Sequence, residues 1–326
     1  MSGDQRPLLH LLWVYPGSLT EALDSATWLE PTRELRRMGW HVTLVAVGPA
    51  GSRVIQGVEV LFVPRPHIYL IRQLVYHARI LRLVASEWSG LDAILFHQMS
   101  ALWLLPLRLP RRLAGRRSPL LLMDTRTVPM ELLTRKDRLR AWFYGVVHGL
   151  ANRGADGQTA ITQRMAEAVR IPPERLWGIW PSGVNLDKFA APQMTRHWPS
   201  EAGPVRLVYL GALYQGRNLL SLCQAVEKAN AAGMAFALSF VGKGPEHMTL
   251  SRFARETAGR IRVLPAVPHD EVPRLLAQHH VGVLPFPDEA KFRVSSPVKL
   301  FEYMAAGLAI LATEVVCHTD VVKEGK

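Results

Sequence analysis

Lys299 and Glu302 are the residues whose types and spacing most clearly indicate chemistry in this sequence. They stand three positions apart in a segment with helical spacing of apolar residues, so they share one face of the predicted helix. Ser295 and Ser296 offer hydroxyl caps, and Pro297 suits the first turn. A cation, a carboxylate and open amide groups at one helix start suit a ligand with phosphate and hydroxyl groups. The same pair is also common on solvated helix surfaces, where it contributes little.

Further polar residues stand at the ends of predicted buried strands earlier in the chain. His97 ends the segment 92–97, and Asp124, Thr125 and Arg126 end or follow the segment 119–124. Because ligands collect at the carboxyl ends of strands in open α/β sheets, these residues are candidates for ligand contact. For His97 a structural role is favoured.

Strand and helix patterns alternate in two series, which predicts an α/β fold with two doubly wound parallel sheets. Loop-like composition with several prolines between 172 and 204 separates the series and places the domains at 1–182 and 183–326. Predicted strands occupy 8–15, 41–47, 58–63, 92–97, 119–124 and 158–161 in the first domain, and 205–210, 236–241, 261–264, 281–284 and 309–312 in the second. In the last predicted helix, the inward stripe is Leu300, Phe301, Met304 and Ala305, and 309–312 is expected to be a buried inner strand.

The composition excludes several classes of protein. The 326 residues contain only two cysteines, Cys223 and Cys317, which favours a reducing cytoplasm over a disulfide framework. No apolar run approaches the roughly 18–20 residues that span a bilayer, and the first residues lack the pattern of a signal peptide. The chain contains no Asp-x-Asp and no His/Cys cluster with metal-ligand spacing, so no metal is predicted.

The net charge of +12 is unevenly distributed. Between Leu104 and Arg140 there are ten Lys or Arg against three Asp or Glu, and leucines are interleaved with the arginines Arg108, Arg111, Arg112, Arg116 and Arg117. Such a stretch is attracted to an anionic membrane surface, but it also occurs on solvated basic helices. Arg72, Arg79 and Arg82 in the predicted helix 68–88 would form a second basic patch. No nucleic-acid-binding motif is present.

Two segments resemble a known family. Ser296–Gly307, Ser-Pro-Val-Lys-Leu-Phe-Glu-Tyr-Met-Ala-Ala-Gly, closely resembles the nucleotide-sugar motif of family 4 glycosyltransferases with the GT-B fold. Gly183–Phe189, Gly-Val-Asn-Leu-Asp-Lys-Phe, resembles the interdomain signature of that family. The resemblance implies two Rossmann-like domains facing a cleft, with 1–182 on the acceptor side and 183–326 binding the nucleotide sugar. It also implies C-terminal crossover helices, which are expected to be missing here.

The resemblance assigns roles to residues of the second domain. Glu302 is expected to bind the ribose hydroxyls, and Arg217 and Lys299 are expected to grip the diphosphate of the donor. This sequence departs from the family in having Ala212 where an arginine is usual and Val294 where a second glutamate is usual. The remaining donor-binding residues implied by the resemblance are Gly17, Gly211, Gly242, Gly244, Val267 and Ser296.

The resemblance therefore predicts a retaining glycosyltransferase that moves a sugar from a UDP- or GDP-linked donor to a glycan or lipid-linked acceptor. Neither a metal nor a cofactor is expected, and Asp124 and Arg126 are the candidates for acceptor contact. The expected location is the cytoplasm, peripherally on the inner face of the membrane. Two alternatives remain: a sugar-nucleotide epimerase or hydrolase of the same architecture, and a membrane-associated subunit that needs a partner to become active.

Overall fold

The computed structural model describes residues 9–19, 26–55, 57–109, 118–129, 134–194, 196–199 and 203–323. The chain divides into two compact units, which we call unit 1, Met1–Pro181, and unit 2, Ser182–Lys326. No helix in these ranges is long and apolar enough to cross a membrane. The predicted basic residues Arg111, Arg112, Arg116 and Arg117 lie outside the described residues.

Unit 1 is built on a sheet that has eight strands among the described residues. They are β1 His10–Val14, β2 His41–Val47, β3 Gly51–Ile55, β4 Val58–Val63, β5 Ala93–His97, β6 Leu120–Thr125, β7 Gly157–Ala160 and β8 Leu176–Ile179. Their order is β3-β4-β2-β1-β5-β6-β7-β8, and all neighbours are parallel except β3 and β4. The carboxyl ends of seven strands therefore meet at one edge, where His97 and Asp124 stand side by side.

Helices cover both faces of this sheet. They are α1 Ala26–Arg37, α2 Tyr69–Glu87, α3 Ala101–Leu104, α4 Arg135–Gly154 and α5 Gln163–Ala168. Alternate residues of β1 point to opposite faces, so Leu12 packs in the core shared with α2, α3 and α4, whereas Trp13 packs in the core beneath α1. Three helices thus form one layer on the same face of the sheet.

Unit 2 is a second Rossmann-like unit. Its described strands are β9 Val205–Leu210, β10 Phe236–Val241, β11 Ile261–Leu264, β12 Val281–Leu284 and β13 Ala309–Ala312, all parallel in the order β11-β10-β9-β12-β13. Its helices are α6 Asp187–Gln193, α7 Leu219–Ala231, α8 His247–Arg255, α9 Val272–Ala277, α10 Ala290–Arg293, α11 Val298–Ala305 and α12 Val316–Thr319. The order of strands reverses between β9 and β12, which is where ligands bind in such sheets.

The structure adds elements that the sequence patterns did not reveal. The strand β3 is exposed and antiparallel, and β8 is a four-residue edge strand interrupted by Gly178, so neither has the apolar run that identifies buried strands. The loop-like composition between 172 and 204 also contains a helix, because α6 spans Asp187–Gln193 despite Pro192.

Two predictions about α11 and β13 are also wrong. The buried residues of α11 are Leu300, Glu302 and Tyr303, while Met304 is exposed, so the inward stripe differs from the apolar one. Among the described strands, β13 lies at the edge of the sheet with Leu311 exposed, rather than inside it.

Candidate functional site

The polar pair of α11 faces inward. Glu302 retains only 7% of its accessible surface and lies beside the fully buried Tyr303. Lys299 is one turn earlier on the same face and reaches the hydroxyl of Tyr209 in the central strand β9, with 3.2 Å between Nζ and Oη. Lys299 and Glu302 are therefore not an ordinary solvent-exposed pair, which was the other interpretation of their spacing.

Tyr209 links the two predicted phosphate-binding cations. Its buried hydroxyl accepts a hydrogen bond from Lys299 and a long one of 3.5 Å from Nη1 of Arg217, and it donates to the carbonyl of Ala212 at 3.0 Å. The ammonium of Lys299 also lies over the Tyr209 ring, 4.3 Å from its centroid. One tyrosine therefore holds both cations at the same place, as the predicted clamp requires.

Two phenylalanines complete the surroundings of these cations. The Phe286 ring lies 5.0 Å from the Arg217 guanidinium carbon and 5.3 Å from Lys299 Nζ, and Phe292 stacks on Phe286. Aromatic faces attract cations without neutralising them. Burial, followed by repulsion from Arg217, lowers the pKa of Lys299 well below its ordinary value, whereas Glu302 acts in the opposite direction.

The predicted glycines bring backbone close to the cations. Gly211 has φ +128°, and a Cβ there would lie 2.7 Å from Lys299 Nζ. A Cβ on Gly242 would overlap the carbonyl oxygen of Gly211, and one on Gly244 would overlap that of Leu213. The structure therefore brings Gly211, Gly242 and Gly244 together in two touching strand-to-helix loops, where side chains have no room.

Glu302 has an unusual protonation equilibrium. Burial raises its pKa to about 7, although the nearby Lys299 acts in the opposite direction. Nδ1 of His269, in the turn after β11, lies 3.7 Å from the Glu302 carboxylate. The carboxyl group can thus exchange a proton near neutral pH, beside a cation and an imidazole.

The start of α11 is arranged differently from the prediction. Its N-cap is Pro297, without a side-chain cap, and Ser296 Oγ instead accepts the amide hydrogen of Ser182 at 3.0 Å. The amides of the first turn are thereby left uncapped, which favours an anion there. Val267 is half-buried against the core of unit 2, two residues before His269.

The predicted acceptor residues lie inside unit 1. Asp124 is fully buried, and its Oδ1 accepts hydrogen bonds from Thr159 Oγ1 at 2.8 Å and Trp180 Nε1 at 2.9 Å. Nη1 of Arg126 lies 3.7 Å from Asp124 Oδ2, and the Arg126 side chain is 7% exposed. This geometry favours a structural ion pair over direct contact with an acceptor.

Gly17 also has a packing role in unit 1. Its Cβ position is filled by the ring of Tyr15, which stacks on Trp28 with 4.1 Å between centroids. Its carbonyl accepts the amide hydrogen of Val47 at 2.9 Å. A donor contact by Gly17 stays a prediction.

A large open groove of unit 2 lies apart from these residues. It measures about 1220 Å³ and is lined by α6, α9 and charged side chains of both signs, including Lys188, Arg206, Arg262 and Asp270. None of Lys299, Arg217 and Glu302 lines it. We place the functional site at Lys299 and Arg217, where the polar side chains and glycine loops meet, rather than in this groove.

Comparisons with known proteins relate unit 2 to a sequence family. Residues 204–326 match the family described as Glycosyl transferases group 1. A search of curated proteins found no match. Unit 2 therefore matches the group 1 glycosyltransferases in sequence, as the resemblance predicted.

Solved structures resemble the whole chain. HepE from Anabaena, in complex with UDP and glucose, is 14% identical with a TM-score of 0.69, over 98% of this chain and 84% of that one. The catalytic domain of starch synthase IV from Arabidopsis thaliana, bound to ADP and acarbose, is 12% identical with a TM-score of 0.66, over 98% and 85%. A glycosyltransferase from Rickettsia africae is 14% identical with a TM-score of 0.65, over 98% and 83%. The predicted GT-B fold is confirmed.

Several residues of the site were not recognised in the sequence. Tyr209 stands in an apolar strand pattern and has the appearance of an ordinary core position, whereas Phe286 lies between two prolines and Phe292 between Lys291 and Arg293. His269 follows a proline in a turn. The signal available for Tyr209 was its place two residues before Gly211, at the carboxyl end of a central strand.

Tyr209→Phe is expected to weaken binding of UDP or GDP about three- to tenfold, because it removes a neutral hydroxyl that orients both cations. The ring and its cation–π contacts remain, so the unfolding temperature should change little. Titration calorimetry measures the affinity, and the fully buried Phe240→Leu serves as a packing control. Unchanged affinity in Tyr209→Phe would contradict a positioning role for the hydroxyl.

Proposed function

We propose that this protein is a retaining glycosyltransferase that uses a UDP- or GDP-linked sugar and needs neither a metal nor a cofactor. The observation that carries the proposal is the paired cations Lys299 and Arg217, held by aromatic rings beside glycine loops and an uncapped helix start. The nucleotides in complexes of structurally similar proteins, UDP in HepE and ADP in starch synthase IV, support a nucleoside diphosphate as the ligand.

The positive charges of Lys299 and Arg217 suit a reaction in which a nucleoside diphosphate leaves the sugar. Transfer breaks the bond between the sugar C1 and the β-phosphate oxygen, and the acceptor oxygen forms a new bond to C1 on the same face. The acceptor proton passes to the departing phosphate oxygen. Negative charge that grows on the diphosphate is stabilised by Lys299 and Arg217, which are already in place before reaction.

Glu302 is proposed to accept hydrogen bonds from the ribose hydroxyls in its ionised form. With a pKa of about 7 in the empty protein, it gains a proton as the pH falls through neutrality. Affinity for UDP should therefore fall by up to about tenfold per pH unit below pH 7. Glu302→Gln should bind more weakly at pH 8 and lose this pH dependence.

The stability of the protein without ligand should depend on pH in the direction opposite to the affinity for UDP. The folded state holds a proton on Glu302 between about pH 4.5 and 7 that the unfolded state has released, so this group makes the wild type less stable as pH rises. Glu302→Gln removes that slope and should be more stable than wild type at pH 8, on the order of 1 kcal/mol. Urea unfolding at pH 5 and 8 tests this, and parallel pH profiles for both proteins would contradict it.

The acceptor is proposed to be a glycan or a lipid-linked molecule, with the enzyme attached peripherally to an anionic inner membrane face. The basic, leucine-rich stretch between Leu104 and Arg140 supports this. The buried positions of Asp124 and Arg126 support a structural part for them in holding unit 1 together.

The test is donor consumption with UDP- and GDP-hexoses, in the presence and absence of membrane-extracted acceptors. Release of nucleoside diphosphate that depends on acceptor, with retention of the anomeric configuration in the product, is the expected result. Consumption without acceptor would instead indicate a hydrolase or epimerase. A folded chain that consumes donor only after a partner is added would indicate a subunit of a larger enzyme.

A further inference from the structure

The outer face of α4 carries an apolar stripe that the fold does not need. Leu139, Trp142, Val146 and Leu150 are 64%, 65%, 39% and 45% exposed. Their spacings of three, four and four residues place them along one side of the helix for about three turns. Tyr144, Val147, His148 and Ala151 already supply the buried side of α4.

The residues around this stripe are predominantly basic. Of the helix residues, Arg135, Lys136, Arg138, Arg140 and Arg153 carry positive charge, and the acidic residue, Asp137, is engaged in a capping box with Thr134. At the other end of α4, Arg108 donates hydrogen bonds to the carbonyls of Arg153 and Gly154. Exposed Leu109 follows Arg108 directly, so a further apolar residue stands near this end.

A second helix in the same layer presents a similar surface. Ile71 and Leu74 in the first turns of α2 are exposed. The helices α2, α3 and α4 pack against the same face of the sheet and share its core, so their outward sides belong to one layer. Both α2 and α4 begin beyond the carboxyl ends of strands, at the edge of unit 1 where ligands are expected.

We propose that this surface of unit 1, with the α4 stripe at its centre, docks onto an anionic lipid bilayer. Leucine and tryptophan side chains would enter the headgroup boundary, and the arginines would contact lipid phosphates. A second copy of the chain fits less well, because pairing two such faces would bring their arginines together. The inference specifies the contact surface of the proposed membrane partner and does not depend on the donor chemistry.

The test is co-sedimentation with vesicles of phosphatidylcholine, alone or mixed with phosphatidylglycerol. Wild type should bind the anionic vesicles at least about tenfold more tightly than the neutral ones. Leu139→Ser/Trp142→Ser should reduce anionic vesicle binding about tenfold, and Arg135→Gln/Arg138→Gln should reduce it while weakening its salt dependence. The matched control is Met248→Ser/Arg255→Gln, which changes exposed residues of α8 in unit 2.

Unfolding temperature and the UDP-dependent shift are measured on the same variants, and both should match wild type. Equal vesicle binding by wild type and the α4 variants would overturn the proposal. So would a dimeric wild type that Leu139→Ser/Trp142→Ser converts to a monomer, since the stripe would then be a self-association surface. Vesicle binding without any UDP shift would leave the docking surface intact and contradict the donor site alone.

Discussion

Lys299→Met is expected to eliminate at least about half of the stabilisation by nucleotide while making the empty protein more stable. The ammonium is held where burial and Arg217 both disfavour its charge, as the lowered pKa of Lys299 records. Removing a charge that burial and repulsion from Arg217 both disfavour relieves the cost of its desolvation, and we expect a gain of about 1 kcal/mol here. The charged state is therefore maintained at a cost to folding, which is a property of binding sites.

The free energy of nucleotide binding that Lys299→Met loses should be larger than the free energy of unfolding that it gains. A charge-assisted hydrogen bond to phosphate contributes about 1.5–3 kcal/mol, so affinity for UDP or GDP should fall by about 10- to 100-fold. At concentrations of about 100 times the wild-type dissociation constant, wild type gains about 2.7 kcal/mol and the variant about 0.4–1.4 kcal/mol. Thermal and urea unfolding with and without nucleotide measure both effects.

The pH dependence of the stability difference between wild type and Lys299→Met tests whether the charge of Lys299 causes that difference. Because the pKa of Lys299 is lowered in the folded state, that state binds fewer protons than the unfolded state up to about pH 10. The cost of the charge is fully present at low pH and disappears as pH rises toward the unfolded pKa. The advantage of Lys299→Met should therefore shrink in alkali. Lys228→Met, on the exposed side of α7, is the control and should show neither effect.

Arg126→Met is expected to destabilise unit 1 by about 3–5 kcal/mol. The substitution leaves the Asp124 carboxyl fully buried without the guanidinium that lies 3.7 Å away. Burial already raises the pKa of Asp124, and Arg126 is the largest influence in the opposite direction. The variant should therefore take up a proton at Asp124, and its loss of stability relative to wild type should grow as pH rises above the already raised pKa of Asp124 in wild type.

A double variant separates structural from substrate-binding roles. Asp124→Asn/Arg126→Met removes both charges while the side-chain oxygen can still accept from Thr159 and Trp180, so it should recover most of the lost stability. Arg82→Met, an exposed position on α2, is the control. Unchanged stability in Arg126→Met together with loss of acceptor-dependent turnover would contradict the structural role and restore the predicted acceptor contact.

The buried parallel strands of both units could be predicted because apolar runs bounded by glycine and proline have few other structures available to them. The edge strands β3 and β8 could not, since an exposed or four-residue strand is selected by its neighbours rather than by its own pattern. The site residues Lys299, Glu302, Arg217 and Gly211 were predicted as a group by resemblance. Their geometry was not.

The buried face of α11 shows why the geometry of the site could not be predicted from the sequence. Apolar spacing places Phe301 and Met304 inside, yet the helix buries Glu302 and exposes Met304. Burying a carboxyl group costs free energy, so a pattern that maximises apolar burial cannot predict this orientation. Local rules are broken at functional sites, and this departure marks the site more clearly than the spacing of Lys299 and Glu302 does.

The most direct test of the central claim, that unit 2 binds a nucleoside diphosphate between Lys299, Arg217 and Glu302, is titration calorimetry with UDP, GDP and ADP. It is run on wild type, Glu302→Ala and Lys228→Ala. We expect one nucleotide to bind wild type and Lys228→Ala alike, and to bind Glu302→Ala at least about tenfold more weakly. A folded wild type that binds none of the three, or a Glu302→Ala that binds as wild type does, would contradict the account.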